Sequence, residues 1–221
     1  VVLTSGITTS GNKIAIDGGI GLDIQGTYLN SGTDGWFQCR NNADLNLVSV
    51  TGARGFVSGG GWGSLQAQGS DGTCDFSGAD VIVKAMKFKS PGNTENVQIN
   101  GARGVGDGLY VSNSTNYNRN VGGVDVLTIG LMHDSVQNSF APNAARQRII
   151  GCFLGASLNE GAPLNLVSGA VDAVVIANIV DEAVQLDAGA GNSVVVGNRI
   201  DTTLTDNSAG STVSANDLAV I

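Results

Sequence analysis

A short sequence motif recurs through the last third of this sequence and constrains its fold more than any other feature. Each copy has an apolar run, a small residue, a polar residue and an apolar close, at residues 149–154, 174–180, 194–200 and 212–218. Equivalent positions follow one another after 26, 20 and 18 residues, counted at Cys152, Asn178, Asn198 and Asn216. Repeats of this length are typical of a solenoid in which each copy forms one layer.

The repeats have the pattern of strands rather than helices. Their β-branched residues form runs of about five to seven that end at Gly, Asn, Asp or Ser, and no run keeps a helical period. A coil of short strands cannot bury its own apolar side, so it needs another coil above and below it. The sequence has 33 Gly, 3 Pro and 42% hydrophobic residues, which suits many short strands and tight corners around a core. We therefore predict an all-β solenoid of stacked parallel strands.

Asn178 and Asn198 stand at matching points where the chain is expected to turn. One interpretation is an inward ladder of side-chain amides that bond from layer to layer. The other is that Asn tolerates the left-handed backbone of a turn. The sequence leaves both open.

The charge balance excludes some classes of partner. The chain has 11 Lys and Arg against 19 Asp and Glu, a net charge of −8, and no basic cluster to neutralise phosphates. We therefore expect no nucleic acid and no anionic membrane as partner, and no apolar run reaches the roughly 18 residues of a membrane span. Residues 1–6 lack the basic start and apolar run of a signal peptide, so no secretion signal is expected there.

The three cysteines do not suggest a disulfide framework. Cys39, Cys74 and Cys152 cannot all pair within one chain, and their spacing matches no zinc pattern. Cys152 takes a repeat position that is otherwise Asn, so we expect a buried, unpaired thiol there.

The middle of the chain resembles a known family. Residues 80–89 alternate between apolar and basic side chains and are expected to form one strand. Further strands are expected at 107–111 and 124–132, and residues 150–159 form the last segment of the series. Over about 80 residues this succession resembles the pectate lyase superfamily, and particularly its bacterial polysaccharide lyase branch, in a degenerate, phage-type form. The resemblance implies a right-handed, single-stranded parallel β-helix of about nine to ten coils.

The departures from that family bear on catalysis. Where such lyases carry carboxylates that hold calcium, this sequence has Thr128–Ile129, Gln137–Asn138 and Ala156. Calcium needs several oxygen ligands, and losing charged carboxylates weakens its site. The family also implies an Arg-rich strand downstream, but after residue 148 only Arg199 is basic. We therefore expect no catalysis and no cofactor, with Ca²⁺ required only if the chain is a lyase after all.

Three acids are the candidate catalytic residues. Asp107, Asp134 and Glu160 would converge on one side of the helix as paired carboxylates, as in glycosidases, and Asp107 with Asp134 would be the metal ligands. Their alternative is solvated acids at solenoid corners. His133, beside Asp134 and Ser135, is expected at a strand end and not in a triad, because adjacent strand residues point to opposite faces.

The two tryptophans and the glycine-rich strings are the remaining candidates for binding residues or for turns. Trp36 and Trp62 would stack on sugar rings if exposed, or else plug the N-terminal end of the coils. Residues 59–63 and 104–108 have the composition of corners, because they lack the Gly-Lys-Ser/Thr ending of a phosphate loop. The string Gly-Ala-Arg-Gly at 52–55 and 101–104 would mark equivalent turns about two layers apart.

Together these patterns predict one β-helix domain over residues 1–221, with irregular N-terminal coils and a cap in 1–75 and regular coils in 76–221. The predicted function is a non-catalytic structural or recognition protein at the surface of a bacteriophage virion: a spike, fibre or capsid decoration. By analogy it would be a homotrimer that contacts other virion proteins and surface polysaccharide. The alternative is a secreted polysaccharide lyase or glycosidase acting on pectate-like or capsular glycans.

Overall fold

The chain is described by a computed structural model. It describes residues 2–3, 7–9, 13–16, 22–30, 36–39, 43–50, 54, 56–58, 65–67, 73–89, 96–112, 116–117, 123–134, 140–155 and 162–218. Within these residues, side chains are described for 54, 56, 76–86, 98–111, 123–133, 140–155 and 162–218.

The described residues form a solenoid of parallel strands and contain no helix. It makes about five turns over residues 123–218, where face 1 has five stacked strands. Every paired strand runs parallel to its neighbour in the next layer, so the backbone hydrogen bonds run along the solenoid axis. The prediction of an all-β parallel solenoid is confirmed, while the hand of the coil and the count of nine to ten coils stay predictions.

The strands stack into three faces. Face 1 is a ten-stranded sheet: Lys13–Ile16, Trp36–Cys39, Phe56–Ser58, Ile82–Lys84, Val105–Asp107, Leu127–Ile129, Arg148–Ile150, Val174–Ile176, Val194–Val196 and Thr212–Ser214. Face 2 is a twelve-stranded sheet: Val2–Leu3, Ile7–Thr9, Leu22–Asn30, Ala43–Val50, Leu65–Ala67, Lys87–Lys89, Tyr110–Ser112, Met132–Asp134, Phe153–Leu154, Ile179–Val180, Arg199–Ile200 and Asp217–Leu218. Face 3 has two three-stranded sheets: Thr73–Phe76, Asn96–Ile99 and Asn116–Tyr117, then Leu164–Leu166, Val184–Leu186 and Leu204–Asp206.

The predicted strands at 80–89, 107–111 and 124–132 are each two strands around a corner, so these three predictions of single strands are wrong. One residue with a left-handed backbone separates face 1 from face 2 in each layer from residue 82 onward: Ala85, Gly108, Gly130, Gly151, Ala177, Gly197 and Ala215. Because this residue is inserted between the strands, Val83 before it and Met86 after it both point into the core. The inserted residue therefore shifts the inward positions by one, from Val81 and Val83 before the bend to Met86 after it.

Columns of inward side chains fill the space between the faces. On the face 1 strands from Ile82–Lys84 to Val194–Val196 the middle residue points inward, and Val83, Ile149, Val175 and Val195 are buried there. The coil at the C-terminal end of the described residues lacks a neighbour on one side, and Val213 is 36% exposed. Burial thus depends on a layer above and below, as expected for a solenoid.

Glycines stand where face 3 turns into face 1, and they allow the layers to approach closely. A Cβ on Gly101 would lie 1.8 Å from the carbonyl oxygen of Gly78 in the preceding layer. We expect Gly101→Ala to lower the free energy of unfolding by at least about 1–3 kcal/mol, because the clash is with backbone and forces the layers apart. Chemical denaturation followed by circular dichroism measures this change.

The matched control is Gly108→Ala. Gly108 has a positive φ of 61°, but a Cβ added there would have nothing within 4 Å, and Ala85 and Ala177 adopt the same backbone at equivalent corners. We expect it to cost less than Gly101→Ala. An equal cost for both would show that layer spacing does not depend on Gly101.

Candidate functional site

Asp107, the first candidate acid, is in an ion pair between layers. It ends the face 1 strand Val105–Asp107 and lies opposite Lys84 in the preceding layer. The Lys84 Nζ and the Asp107 Oδ2 are 3.0 Å apart, and both side chains are partly exposed. The Asp107 carboxylate therefore has a cation as its immediate neighbour.

None of the other candidate residues has a described side chain. Asp134 ends the face 2 strand Met132–Asp134, opposite Ser112, and its side chain is not among those described. Asp107 and Asp134 thus belong to different faces and to successive layers. Trp36 begins the face 1 strand Trp36–Cys39, again without a described side chain, and Glu160 and Trp62 lie outside the described residues. Convergence of the three acids and stacking by the two tryptophans stay predictions.

His133 lies inside the core. It is the middle residue of Met132–Asp134, between Val111 and Leu154 of the adjacent layers, and it is fully buried. The prediction of a strand-end histidine is therefore wrong, because the strand continues to Asp134. Neither ring nitrogen has a hydrogen-bond partner in the part of the chain that the structure describes. Burial lowers the pKa of His133 to about 3, so the imidazole is neutral at physiological pH.

Cys152 is a buried, unpaired thiol, as predicted. It is 2% exposed and free, and burial raises its pKa to about 11. The Sγ lies 3.5 Å from the carbonyl oxygen of Ile150 and 3.8 Å from that of Thr128. A thiol with a raised pKa carries little thiolate, so the chemistry of Cys152 is that of a small apolar group. The side chains of Cys39 and Cys74 are not among those described.

The predicted amide ladder is present, and Asn216 extends it. The backbone N–H of Cys152 donates to Asn178 Oδ1 (2.8 Å), that of Asn178 to Asn198 Oδ1 (3.0 Å), and that of Asn198 to Asn216 Oδ1 (3.0 Å). The amide groups also bond to each other, since Asn178 Nδ2 donates to Asn198 Oδ1 (2.9 Å) and Asn198 Nδ2 to Asn216 Oδ1 (2.9 Å). Each amide therefore joins two layers.

The alternative interpretation, that Asn serves the left-handed turn, is wrong for these positions. The residues with positive φ are the ones that precede the asparagines, namely Ala177, Gly197 and Ala215. Two successive residues at each corner therefore have different structural functions. The small residue makes the bend, and the asparagine after it points inward and bonds the layers.

A second ladder, whose alternating charges no local sequence pattern indicated, runs along the corner between face 3 and face 1. One residue with a left-handed backbone occurs there in each layer from residue 54 onward, and along the axis these are Arg54, Asp80, Arg103, Asp125, Arg146, Asp172, Asn192 and Gly210. The first six alternate in charge. The two Gly-Ala-Arg-Gly strings place Arg54 and Arg103 two layers apart, as predicted, with Asp80 between them.

The ion pairs of this corner ladder have bidentate geometry. Arg103 donates through Nε and Nη2 to the carboxylate of Asp80 at 2.6 and 2.7 Å. Arg146 bonds Asp125 in the same way at 2.6 and 2.8 Å. The guanidinium hydrogen bonds hold the pKa of Asp80 and Asp125 below the ordinary value for a carboxyl group. These groups are partly exposed, so each pair adds little to stability.

The described residues bring no metal-binding group together. No three His, Cys, Asp or Glu side chains lie close enough within them to share an ion. No helix among them is long and apolar enough to cross a membrane. The amide ladder and the charged corner ladder both run parallel to the axis of the described solenoid.

Comparison of the chain with protein families, with curated proteins and with solved structures finds no match.

Proposed function

We propose that this chain is a non-catalytic structural or recognition protein, a right-handed β-helix of nine to ten coils that acts as a stiff rod. The supporting observation is that polar side chains bond to adjacent layers along the described solenoid. Asn178 bonds to Asn198, Arg103 to Asp80, and Lys84 pairs with Asp107. Asp107 forms an ion pair with a lysine of the adjacent layer, and His133 is fully buried in the core. Neither side chain is well placed to transfer protons to a substrate.

The proposed setting is the surface of a bacteriophage particle, as a spike, fibre or capsid decoration. This part of the proposal depends on the resemblance to a fold that phages use, with a homotrimer and contacts to other virion proteins carried by analogy. Surface polysaccharide would be a second partner, with Trp36 and Trp62 as the stacking residues. Antibodies against the protein that label intact phage particles would support this setting, and labelling of host cells alone would contradict it.

The proposal is tested by incubating the purified protein with pectate, alginate and capsular polysaccharide. We expect neither unsaturated uronate absorbance nor new reducing ends, because the one candidate acid with a described side chain, Asp107, pairs with Lys84. Glycan binding measured on the same samples distinguishes recognition from a purely structural role, and we expect Trp36→Ala and Trp62→Ala to abolish any binding seen.

Release of products would establish the lyase or glycosidase alternative. In that case Asp107→Asn, Asp134→Asn and Glu160→Gln should each reduce the rate at least about 100-fold, as loss of an acid–base group does. A Ca²⁺ requirement for the reaction would identify the lyase type.

A further inference from the structure

The outer surface of face 1 is apolar over most of the described length. Seven strands from Ile82–Lys84 to Thr212–Ser214 have two outward positions each, and nine of these 14 positions are aliphatic. They are Ile82, Val105, Leu127, Ile129, Ile150, Val174, Ile176, Val194 and Val196. Since the residue between them on each strand points into the core, these strands are apolar on both sides. Parallel strands of that composition are normally covered on both faces.

The size of this surface is that of the largest apolar patch on a typical protein, and such patches are often functional. Seven strands at about 4.8 Å spacing span about 29 Å, and two columns of side chains are roughly 13 Å wide, which makes roughly 400 Å². The apolar surface continues around the corner to Met132, Phe153 and Ile179 on face 2, and Ile179 is 41% exposed. An apolar patch of this size is often functional, and it is about half of the roughly 800 Å² that each partner contributes to a stable complex, so the adjoining face 2 residues and the rim would supply the rest.

The charges on and beside this surface permit contact with an identical surface. Its outward positions contain only three charged side chains, Lys84, Asp107 and Arg148, and the first two neutralise each other. The net charge of −8 is therefore carried elsewhere. The charged corner ladder along one edge alternates Arg and Asp from layer to layer. In an antiparallel two-fold pair the same ladder of the other copy runs alongside this one, and its alternating charges allow Arg to lie opposite Asp.

We propose that the outer surface of face 1 is where this chain associates with another copy of itself. The rows of side chains repeat every 4.8 Å or so, and a second stack of parallel strands has ridges of the same spacing to interdigitate with them. Self-association through one matching surface is also the commonest route to a symmetric oligomer. A dimer, or a trimer whose copies turn face 1 toward a common axis, would bury the surface. The inference refines the self-assembly in the proposed function but does not need a virion.

Sedimentation equilibrium over a range of concentrations tests this surface. We expect the full chain to be multimeric, and Ile129→Lys and Ile176→Lys each to raise the dissociation constant at least about tenfold, because a charge would enter the interface. Thr205→Lys is the matched control. Thr205 is exposed on the face 3 strand Leu204–Asp206, so the same new charge there should change the dissociation constant less than about twofold.

Folding is checked by circular dichroism. If a Lys variant fails to fold, Ile176→Thr keeps the β-branched shape, removes apolar surface and should still weaken association measurably. A wild-type monomer at all concentrations would overturn the proposal, and so would a multimer that is unchanged in folded face 1 variants. Glycan cleavage by a protein that self-associates as expected would overturn the proposed function and leave this surface assigned.

Discussion

Replacing His133 by Leu should stabilise the protein at pH 7 and remove much of its sensitivity to acid. His133 is fully buried, and neither ring nitrogen has a hydrogen-bond partner among the described residues. Leu154 occupies the equivalent position in the next layer, so the column already accommodates a leucine. Removing a buried polar group without partners should raise the free energy of unfolding by about 1–3 kcal/mol.

The acid sensitivity follows from the difference in pKa between the two states. The imidazole has a pKa of about 3 in the folded chain, against 6.5 for a solvent-exposed histidine. Between these values the unfolded chain binds a proton that the folded chain does not, so stability falls as the pH is lowered. The slope is about 1.4 kcal/mol per pH unit, which amounts to about 2–3 kcal/mol at pH 4.5.

Urea denaturation of the wild type and His133→Leu at pH 7 and pH 4.5 measures both effects. The exposed Asp80 and Asp125 also protonate in acid, but they do so in both proteins and cancel from the difference. The difference in stability should therefore widen in favour of the Leu variant as the pH falls. A destabilised Leu variant at pH 7, with no widening, would mean that the ring is hydrogen-bonded in solution.

Replacing Asn198 by Ala should remove much of the stability of the C-terminal coils. The Asn198 Oδ1 accepts from the backbone N–H and from the Nδ2 of Asn178, and its own Nδ2 donates to Val175 O and to Asn216 Oδ1. The alanine variant would take these bonds from the buried backbone N–H of Asn178 and from the carbonyl of Val175, and would leave Asn216 Oδ1 with only the backbone N–H of residue 198. The expected loss in the free energy of unfolding is about 3–5 kcal/mol.

Two variants serve as controls for the amide ladder, with the same urea denaturation as readout. Asn207→Ala removes an exposed asparagine from outside the ladder and should change stability by less than about 0.5 kcal/mol. Asn198→Asp keeps the acceptor for Asn178 but brings a charge next to the carbonyl of Val175, so it should also destabilise, and less so at low pH. Equal effects of Asn198→Ala and Asn207→Ala would contradict a role for the ladder.

The strand composition and the repeat spacing were readable from the sequence because they are local. Runs such as Val194–Val196, closed by a small residue and Asn198, repeat at intervals that match the hydrogen bonds between layers. The amide ladder was one of two open interpretations, because asparagine suits both an inward ladder and a left-handed turn. Only the backbone could assign the bend to the preceding residue, Gly197.

Other features depend on which residues the layers bring together. Arg103 and Asp80 are 23 residues apart, and no local pattern pairs them. The place of His133 in the core was likewise not predicted, because the sequence around it indicated a strand end, and only the stacked layers show that the strand continues to Asp134. The apolar outer surface of face 1 also emerges only when the strands are stacked, because a single run such as Val174–Ile176 does not say which side is covered.

The sequence by itself determined that this chain forms short strands with corners at repeating intervals, since backbone preference and apolar period are local properties. The tertiary structure decided which residues face inward, which charges meet across layers, and that face 1 is apolar on both sides. These depend on the register between coils, which is set by the left-handed corners, the amide ladder and the close glycine contacts acting together across the stack.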